Sequence, residues 1–204
     1  MRIRRASPEA AGWGSSAVGP WTRHERRIAY ENAWITVYHD QVTRPDGRHG
    51  IYGVVHYANV AVGVVAIDER DRVALVGQHR YPFDVHSWEI PEGGSPHLED
   101  PLEGARRELL EETGLTARSW REIGRYQLSN SVSDEWAVTY LATELEQGVA
   151  QPEGTEQLEV RWLPFDEVVS MVESGEIPAA LSVLPLQSLA LERLRLKPPK
   201  PGGD

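Results

Sequence analysis

Three glutamates, Glu108, Glu111 and Glu112, are spaced so that they share one face of any helix that contains them. At about 100° per residue, positions i, i+3 and i+4 fall within an arc of about 100°. Carboxylates held this close repel one another and weaken an isolated helix by roughly a few tenths of a kcal/mol per pair. A divalent cation would remove that repulsion, and hard oxygen ligands suit Mg²⁺. The alternative is a solvated acidic face paired with Arg106 and Arg107.

The sequence around these glutamates predicts a helix from about residue 101 to residue 113. Asp100 is placed to cap its N-terminus, Pro101 suits the first helical position, and Glu103 completes a capping box. Gly114 follows the last periodic residue, where a left-handed cap favours a residue without Cβ. Further helices are predicted at about 165–174, after Pro164, and at about 179–196.

Runs rich in β-branched and aromatic residues predict strands on both sides of this helix. The runs are WITVYHD (34–40), IYGVVHYA (51–58), NVAVGVVAID (59–68), RVALVGQHRY (72–81), WAVTYLATEL (136–145) and QLEVRWLP (157–164). The first two are joined by turn residues and predict a hairpin. Strands outnumber helices in mixed order, so we expect an α+β fold with a mixed sheet between helices.

Length and composition indicate one globular domain without a disulfide. The 204 residues suit a domain over 21–195, with N-terminal strands at 21–57 and loose tails at 1–20 and 196–204. The net charge of −10 argues against wrapping nucleic acid, and no apolar run is long enough to span a membrane. We therefore expect a cytoplasmic protein. Since there is no cysteine, any metal must be held by oxygen or imidazole.

The segment PEGGSPHLEDPLEGARRELLEETGL resembles the Nudix box, the signature of the Nudix hydrolases. That box is a glycine, five residues, a glutamate, seven residues, Arg-Glu, an aliphatic residue, any residue, Glu-Glu, any residue, a glycine and an aliphatic residue. The nine matching positions are Gly93, Glu99, Arg107, Glu108, Leu109, Glu111, Glu112, Gly114 and Leu115. The surrounding strands and helices extend the resemblance to about residues 21–195.

The resemblance implies a Nudix fold, an α/β/α arrangement, and a loop-helix-loop that binds Mg²⁺ or Mn²⁺. By this resemblance Glu108, Glu111 and Glu112 are metal ligands, the backbone carbonyl of Glu92 is a further ligand, and Arg107 holds the glutamates in place. Gly93, Glu99 and Gly114 are implied to be structural residues of the motif. The activity implied is metal-dependent hydrolysis of a pyrophosphate bond.

The residues flanking the box resemble the branch that hydrolyses ADP-ribose and nucleoside diphosphate sugars. In GQHRYP, Arg80 is implied to bind a substrate phosphate, with a surface salt bridge as the alternative. Glu89 matches a glutamate near the metals or is a plain strand-end acid. Glu135 matches a loop glutamate that activates water or binds a metal, against an ordinary loop acid. Either Glu135 or Glu108 would take the proton from the attacking water.

Several questions stay open at this point. ADP-ribose hydrolases carry a proline where Asn130 and Ser131 stand here, so the sugar is not fixed between ADP-ribose and GDP-mannose types. Dinucleoside polyphosphates or damaged nucleotides are an alternative substrate class, and a silent nucleotide-binding module is an alternative of another kind. The branch also implies a homodimer built through residues 21–57. Trp34, Trp88 and Trp136 are expected to be core residues rather than base-stacking ones, and the histidines are assigned no chemistry.

Overall fold

The computed structural model describes residues 15–148 and 158–196, which form eleven strands and three helices. The strands are β1 (Ser16–Val18), β2 (Trp21–Glu31), β3 (Ile35–Thr43), β4 (His49–Tyr57), β5 (Asn59–Ala66), β6 (Arg72–Arg80), β7 (Val85–Glu89), β8 (Glu92–Pro96), β9 (Leu115–Gln127), β10 (Trp136–Gln147) and β11 (Glu159–Pro164). The helices are α1 (Pro101–Thr113), α2 (Phe165–Ser174) and α3 (Ala180–Leu196). These elements fall into two compact units.

The N-terminal unit is an antiparallel sheet in the order β1-β2-β3-β4. It extends to Tyr57 and also includes the short segment 131–134 from later in the chain. This segment lies alongside β4, and its Ser133 forms an isolated parallel bridge with Val55 of that strand. Its strands β3 and β4 confirm the predicted hairpin, because they pair in unbroken register from Ile35 with Tyr57 to Thr43 with His49.

The larger unit contains a four-stranded sheet and a three-stranded sheet. The first has the order β8-β5-β10-β9, in which β5 and β10 are parallel and the other pairs antiparallel. The second has the order β11-β6-β7 and is antiparallel. The four-stranded sheet is therefore mixed, as the sequence predicts.

Strand β5 lies at the centre of the core because both of its faces are buried. Val62 and Val64 belong to an apolar cluster that includes Leu109 of α1. Val65 points the other way, into a cluster that includes Leu186 of α3. This alternation is the two-residue period of a strand, and it places helices on both faces of the sheet. The predicted α+β class, with a mixed sheet between helices, is confirmed.

Helix α1 begins and ends where the sequence predicts. The side chain of Asp100 accepts a hydrogen bond from the amide of Leu102, and Pro101 occupies the first turn. Gly114 has φ of 73°, and its amide donates to Leu110 O, which closes the C-terminus. Helix α2 matches its predicted range, and α3 begins at Ala180.

Other elements differ from the prediction. Strands β7, β8 and β9 were not predicted, and β1 (Ser16–Val18) lies in a stretch expected to be a loose tail. The remainder of the expected tails, residues 1–14 and 197–204, lies outside the described residues. Within the two described ranges, none of the helices combines the length and apolar content needed to cross a bilayer.

Candidate active site

The Nudix-box residues lie on β8, on the loop after it, on α1 with its C-terminal cap, and at the first residue of β9. Strand β8 passes so close to the helix that a Cβ on Gly93 would lie 2.2 Å from Cδ of Glu108. A Cβ at this distance would force the Glu108 carboxylate to move, so the glycine allows a close approach rather than an unusual backbone angle. A Cβ on Gly104 of the helix would likewise lie 2.5 Å from Cβ of Ser95. Small residues on both elements therefore let the strand backbone reach the helical glutamates.

Glu112 is fixed by the backbone of β8. Its Oε2 accepts a hydrogen bond from the amide of Glu92 at 3.0 Å, and the residue is only 4% exposed. The helical spacing predicts that Glu112 shares one face with Glu108 and Glu111, but the structure shows Glu112 buried against the strand. A buried carboxylate needs such a donor, because desolvation without one is costly. Glu112 is therefore a positioned internal acid.

Arg107 contacts residues of the loop, the strand and the helix of the box. Its Nη1 donates to both carboxylate oxygens of Glu99 at 3.0 Å, and its Nη2 donates to Gly94 O at 2.7 Å. The same Nη2 lies 3.5 Å from Glu108 Oε1, which also accepts from the Gly94 amide at 3.2 Å. Nε lies 4.0 Å from Glu111. One guanidinium thus links the loop, the strand and the helix, as its fork of donors allows.

Arg80 and two glutamates form a second ion cluster, on β6, β7 and β8. Nε of Arg80 donates to Glu89 at 3.0 and 2.9 Å, and Nη2 donates to Glu89 as well as to Glu92 Oε1 at 2.6 Å. Glu89 is 2% exposed, whereas the Arg80 side chain keeps 34% exposure. The salt bridge of Arg80 is therefore partly buried and not a surface pair. No pattern in the sequence predicts this ion pair, because it depends on the register of β6 with β7.

The electrostatics of these acids differ from one to the next. Burial raises the pKa of Glu92 well above its usual range, repulsion from Glu89 adds to this, and attraction to Arg80 opposes it. Burial also raises the pKa of Glu89, but the hydrogen bonds and charge of Arg80 outweigh it, and the net pKa is lowered. For Glu108, burial is the largest cause and raises the pKa. The charge of Arg107 opposes this, repulsion from Glu111 adds to it, and the net pKa is raised.

The donor set suits a hard divalent cation. Among the described residues, Oε2 of Glu92 is one of three buried side-chain oxygens without a hydrogen-bond partner. It lies among carboxylates, and an oxygen-only environment is what Mg²⁺ prefers. No group of three or more acidic or imidazole side chains converges as ion ligands within residues 15–148 and 158–196. Instead, N–H donors engage Glu108 and Glu112 one by one.

The remaining predicted site residues lie elsewhere in the chain. Glu135 directly precedes β10 and is half-buried. Trp88 and Trp136 pack against the apolar clusters of the larger unit, as expected of core residues, and Arg161 lies 4.4 Å from the Trp88 ring centroid. Trp34, in contrast, is 70% exposed.

Comparisons with known proteins agree with this geometry. The model of the NUDIX domain matches residues 58–184, and the model of the nucleoside diphosphate sugar hydrolase N-terminal domain matches residues 21–55. The chain therefore belongs to the Nudix family and is a Nudix hydrolase. A solved structure described as an ADP compounds hydrolase has a TM-score of 0.78 and 19% identity, covering 89% of this chain and 97% of that one. The predicted Nudix fold is confirmed.

Curated relatives match most of the chain. A CMP-5'-(N-acetyl-N-hydroxy-3-aminopropyl)phosphonate hydrolase of Streptomyces rubellomurinus is 32% identical over 76% of this chain and 75% of its own. An ADP-ribose pyrophosphatase of Mycobacterium tuberculosis is 33% identical over 71% of this chain and 70% of its own. An ADP-ribose pyrophosphatase of Bacillus subtilis is 30% identical over 82% of this chain and 94% of its own.

Proposed function

We propose that this Nudix hydrolase splits the pyrophosphate of a nucleoside diphosphate sugar and releases a nucleoside monophosphate and a sugar phosphate. The observation that carries the proposal is the row of carboxylates formed by the buried Glu112 and the partly buried Glu92 and Glu108, with the cation Arg80 beside Glu92. The two ADP-ribose pyrophosphatases and the matching N-terminal domain support this substrate class. Such a row can concentrate divalent cations where an anionic substrate must be neutralised.

Mg²⁺ or Mn²⁺ would be held by Glu108, Glu111 and Glu112 together with the carbonyl of Glu92. The cation supplies charge neutralisation for the phosphates and makes the attacking water more acidic. Arg107 and the Gly94 amide both donate to Glu108 Oε1 and keep it in place. Because Glu108 Oε1 already accepts from two donors, we assign it the role of a fixed ligand.

Glu135 is then the group that takes the proton, with Glu108 as the alternative base. The water oxygen bonds to one phosphorus while the bond from that phosphorus to the bridging oxygen breaks. The bridging oxygen leaves with the electron pair on the second phosphate, and Glu135 accepts the proton of the water. The two assignments separate by experiment. Glu135→Gln should lower kcat at unchanged metal affinity, whereas Glu108→Gln should weaken metal binding itself.

Arg80 is proposed to bind a substrate phosphate. Glu89 holds its guanidinium through two nitrogen atoms, and the side chain is still one-third exposed. A charged donor that is held in this way can bind an anionic oxygen without first being ordered. Arg80→Gln should therefore raise KM more than it lowers kcat.

A second candidate substrate is a nucleoside monophosphate joined to a phosphonate. The Streptomyces relative, 32% identical over 155 residues, carries a CMP-phosphonate substrate in its name. Here too water would attack one phosphorus of an anhydride that contains a nucleoside 5'-phosphate, so the same carboxylates would serve. The difference lies in the leaving group, which the metal ligands do not read.

The test is turnover on a panel of ADP-ribose, GDP-mannose, a CMP-phosphonate and a diadenosine polyphosphate. Enzyme stripped with EDTA should be inactive and should recover with Mg²⁺ or Mn²⁺. Metal-dependent release from the nucleotide sugars supports the proposal, and release only from the diadenosine compound transfers it to that class. Nucleotide binding without turnover of any member would identify a binding module instead.

We further propose a cytoplasmic homodimer that contacts its partner through the N-terminal sheet. This unit exposes four large apolar side chains on β2, on the turn after it and on β4, namely Ile28, Tyr30, Trp34 and Ile51. Light scattering should report twice the mass of 22.9 kDa. Ile28→Glu combined with Ile51→Glu should halve that value, and an unchanged mass would contradict this interface. Cell fractionation tests the location.

A further inference from the structure

The segment before Glu135 is anchored along β4 by backbone hydrogen bonds. The amide of Val55 donates to Val132 O at 2.8 Å, and the amide of Asp134 donates back to Val55 O at 3.2 Å. The hydroxyl of Tyr52 donates to Ser131 O at 2.6 Å. Residues 131–134 therefore pair with the N-terminal sheet almost as an additional short strand.

Side chains complete this anchor. Nδ1 of His56 lies 2.6 Å from Oδ2 of Asp134, and Oδ1 of Asp134 accepts from the amide of Tyr57 at 3.2 Å. An ionised carboxylate only accepts, so Nδ1 must carry the proton in this contact, whether the ring is neutral or charged. Both oxygens of Asp134 are thus held by consecutive residues of β4, and the contact does not require His56 to be a cation.

His56 is itself ordered by a cross-strand stack. Its ring centroid lies 6.2 Å from that of Tyr38 on β3, at an interplanar angle of 38°. The Tyr38 ring also contacts Arg26, whose guanidinium carbon lies 4.3 Å from the ring centroid. Arg26 is fixed in turn by two hydrogen bonds of 2.7 Å to Asp40, which is 4% exposed. The imidazole therefore has a defined place in the sheet, with its donor directed at Asp134.

Asp134 is joined by a peptide bond to Glu135, the residue proposed above to take the proton. We propose that His56 is a positioning residue of the reaction, which holds Asp134 and so sets where the backbone presents Glu135. The inference rests on the proposed function of Glu135. Its physical basis is that a displacement of about 1 Å at a reacting group can cost roughly 100-fold in rate, even when the cause is remote. The histidines are assigned no chemistry from the sequence, since nothing in the spacing of His56 relates it to residue 134.

The first experiment changes only the donor. His56→Phe keeps a ring against Tyr38 and removes Nδ1, whereas His56→Asn places an amide nitrogen near the position of Nδ1. We expect His56→Phe to lower kcat about tenfold or more at a KM within about twofold, and His56→Asn to restore most of the loss. His49→Phe, on the exposed end of the same strand, is the matched control and should leave both constants unchanged. Equal activity of His56→Phe and wild type, or failure of His56→Asn to rescue, would overturn the proposal.

The second experiment asks whether the effect passes through Glu135. In a double-mutant cycle, His56→Phe should have no further effect on kcat in the Glu135→Gln background. An additional loss equal to that in wild type would show that His56 acts by another route, and it would overturn the inference. Full activity of Glu135→Gln would also overturn it, but hydrolysis by the box glutamates would stand.

The third measurement needs no substrate, so it separates this inference from the proposed function. Hydrogen exchange should show that the amides of Val55 and Asp134 exchange faster in His56→Phe than in wild type or His49→Phe. Equal protection in all three would mean that His56 does not hold the segment. If wild type is inactive on the whole panel, the proposed function fails, while this measurement still decides whether the anchor exists.

Discussion

Glu92 and Glu112 interact in two opposite ways. The amide of Glu92 donates to Glu112 Oε2 at 3.0 Å, which is an attraction. The two carboxylates repel each other. Burial is the largest cause of the raised pKa of Glu92, and the charge of Glu112 adds to it. The strand thus fixes the helical carboxylate through its backbone, while the charge of that carboxylate makes the strand's own Glu92 side chain harder to ionise. This arrangement keeps a concentrated negative charge in a rigid place, which is the property that a cation site requires.

Replacing Glu112 tests this site most directly. Glu112→Gln keeps an oxygen that can accept from the Glu92 amide, so we expect the fold to persist. Loss of the charge should lower kcat about 100-fold or more, because the residue is proposed to bind the cation that stabilises the transition state. Steady-state kinetics and a thermal melt measure the two effects. Glu103→Gln on the exposed side of the same helix is the control, and normal turnover by Glu112→Gln would refute the metal assignment.

A side chain at residue 93 should displace the Glu108 carboxylate. In Gly93→Ala the new Cβ would lie 2.2 Å from Cδ of Glu108, so strand and helix must separate or Glu108 must turn away. We expect a loss of about 1–3 kcal/mol in unfolding free energy, together with weaker metal binding. Urea denaturation and metal titration measure these. Gly53→Ala is a matched control, since a Cβ there meets nothing within 4 Å. Comparable stability of the two variants would argue against the close approach.

Arg107 should not be replaceable by lysine. The guanidinium uses separate nitrogens for Glu99 and for Gly94 O, and a single ammonium cannot span both at these distances. We expect Arg107→Lys to raise the dissociation constant for Mn²⁺ about tenfold or more, as measured by calorimetry. Arg106→Lys changes the neighbouring arginine, which pairs with the exposed Glu103 on the same helix, and should have no such effect. Identical affinities of the two variants would contradict the bridging role.

Asp68 should contribute to the acid sensitivity of the fold. Burial raises its pKa, but hydrogen bonds from Arg72 and from the amide of Arg70 outweigh this, and the folded pKa is lowered. A depressed pKa stabilises the folded state fully above the unfolded value of about 3.9, and this contribution is lost as pH falls through the folded value. The stability difference between wild type and Asp68→Asn should therefore stay constant above about pH 5 and shrink as the pH falls through about 3.9 and then through the folded pKa.

Urea unfolding at a series of pH values measures this difference. Glu173→Gln on the exposed face of α2 serves as the control, and its difference from wild type should stay flat. A gap for Asp68→Asn that widens as the pH falls would have the wrong sign and would contradict the assigned pKa.

Local sequence patterns predict much of the secondary structure. Asp100, Pro101 and Gly114 each have one dominant use at a helix end, so the bounds of α1 could be read from the sequence. The bounds of strand β9 could not be predicted, because polar and apolar residues in LTARSWREIGRYQ do not define a clear apolar face. The strand is stabilised by pairing with β10. Strand β8, with two glycines and a proline in five residues, has a composition typical of a loop.

The site was less accessible to sequence reasoning than the motif that contains it. A helical wheel groups Glu108, Glu111 and Glu112, but it says nothing about the strand that buries Glu112. The Arg80–Glu89 pair requires the β6–β7 register, in which Arg80 is opposite Val85 and its side chain reaches back along the strand. Pairings of this kind depend on tertiary contacts, which the periodicity of a single sequence does not predict.

The pairing of β4 with residues 131–134 has a consequence for chimeric enzymes. The boundary between the two matched family models falls between residues 55 and 58, which would invite exchange of the N-terminal part among relatives as a cassette. A graft cut there would replace strand β4, to which Val132 and Asp134 are hydrogen-bonded, but would keep the original segment 131–134. The exchangeable block is therefore discontinuous. A successful transplant must carry the Ser131–Asp134 tetrapeptide along with the strands.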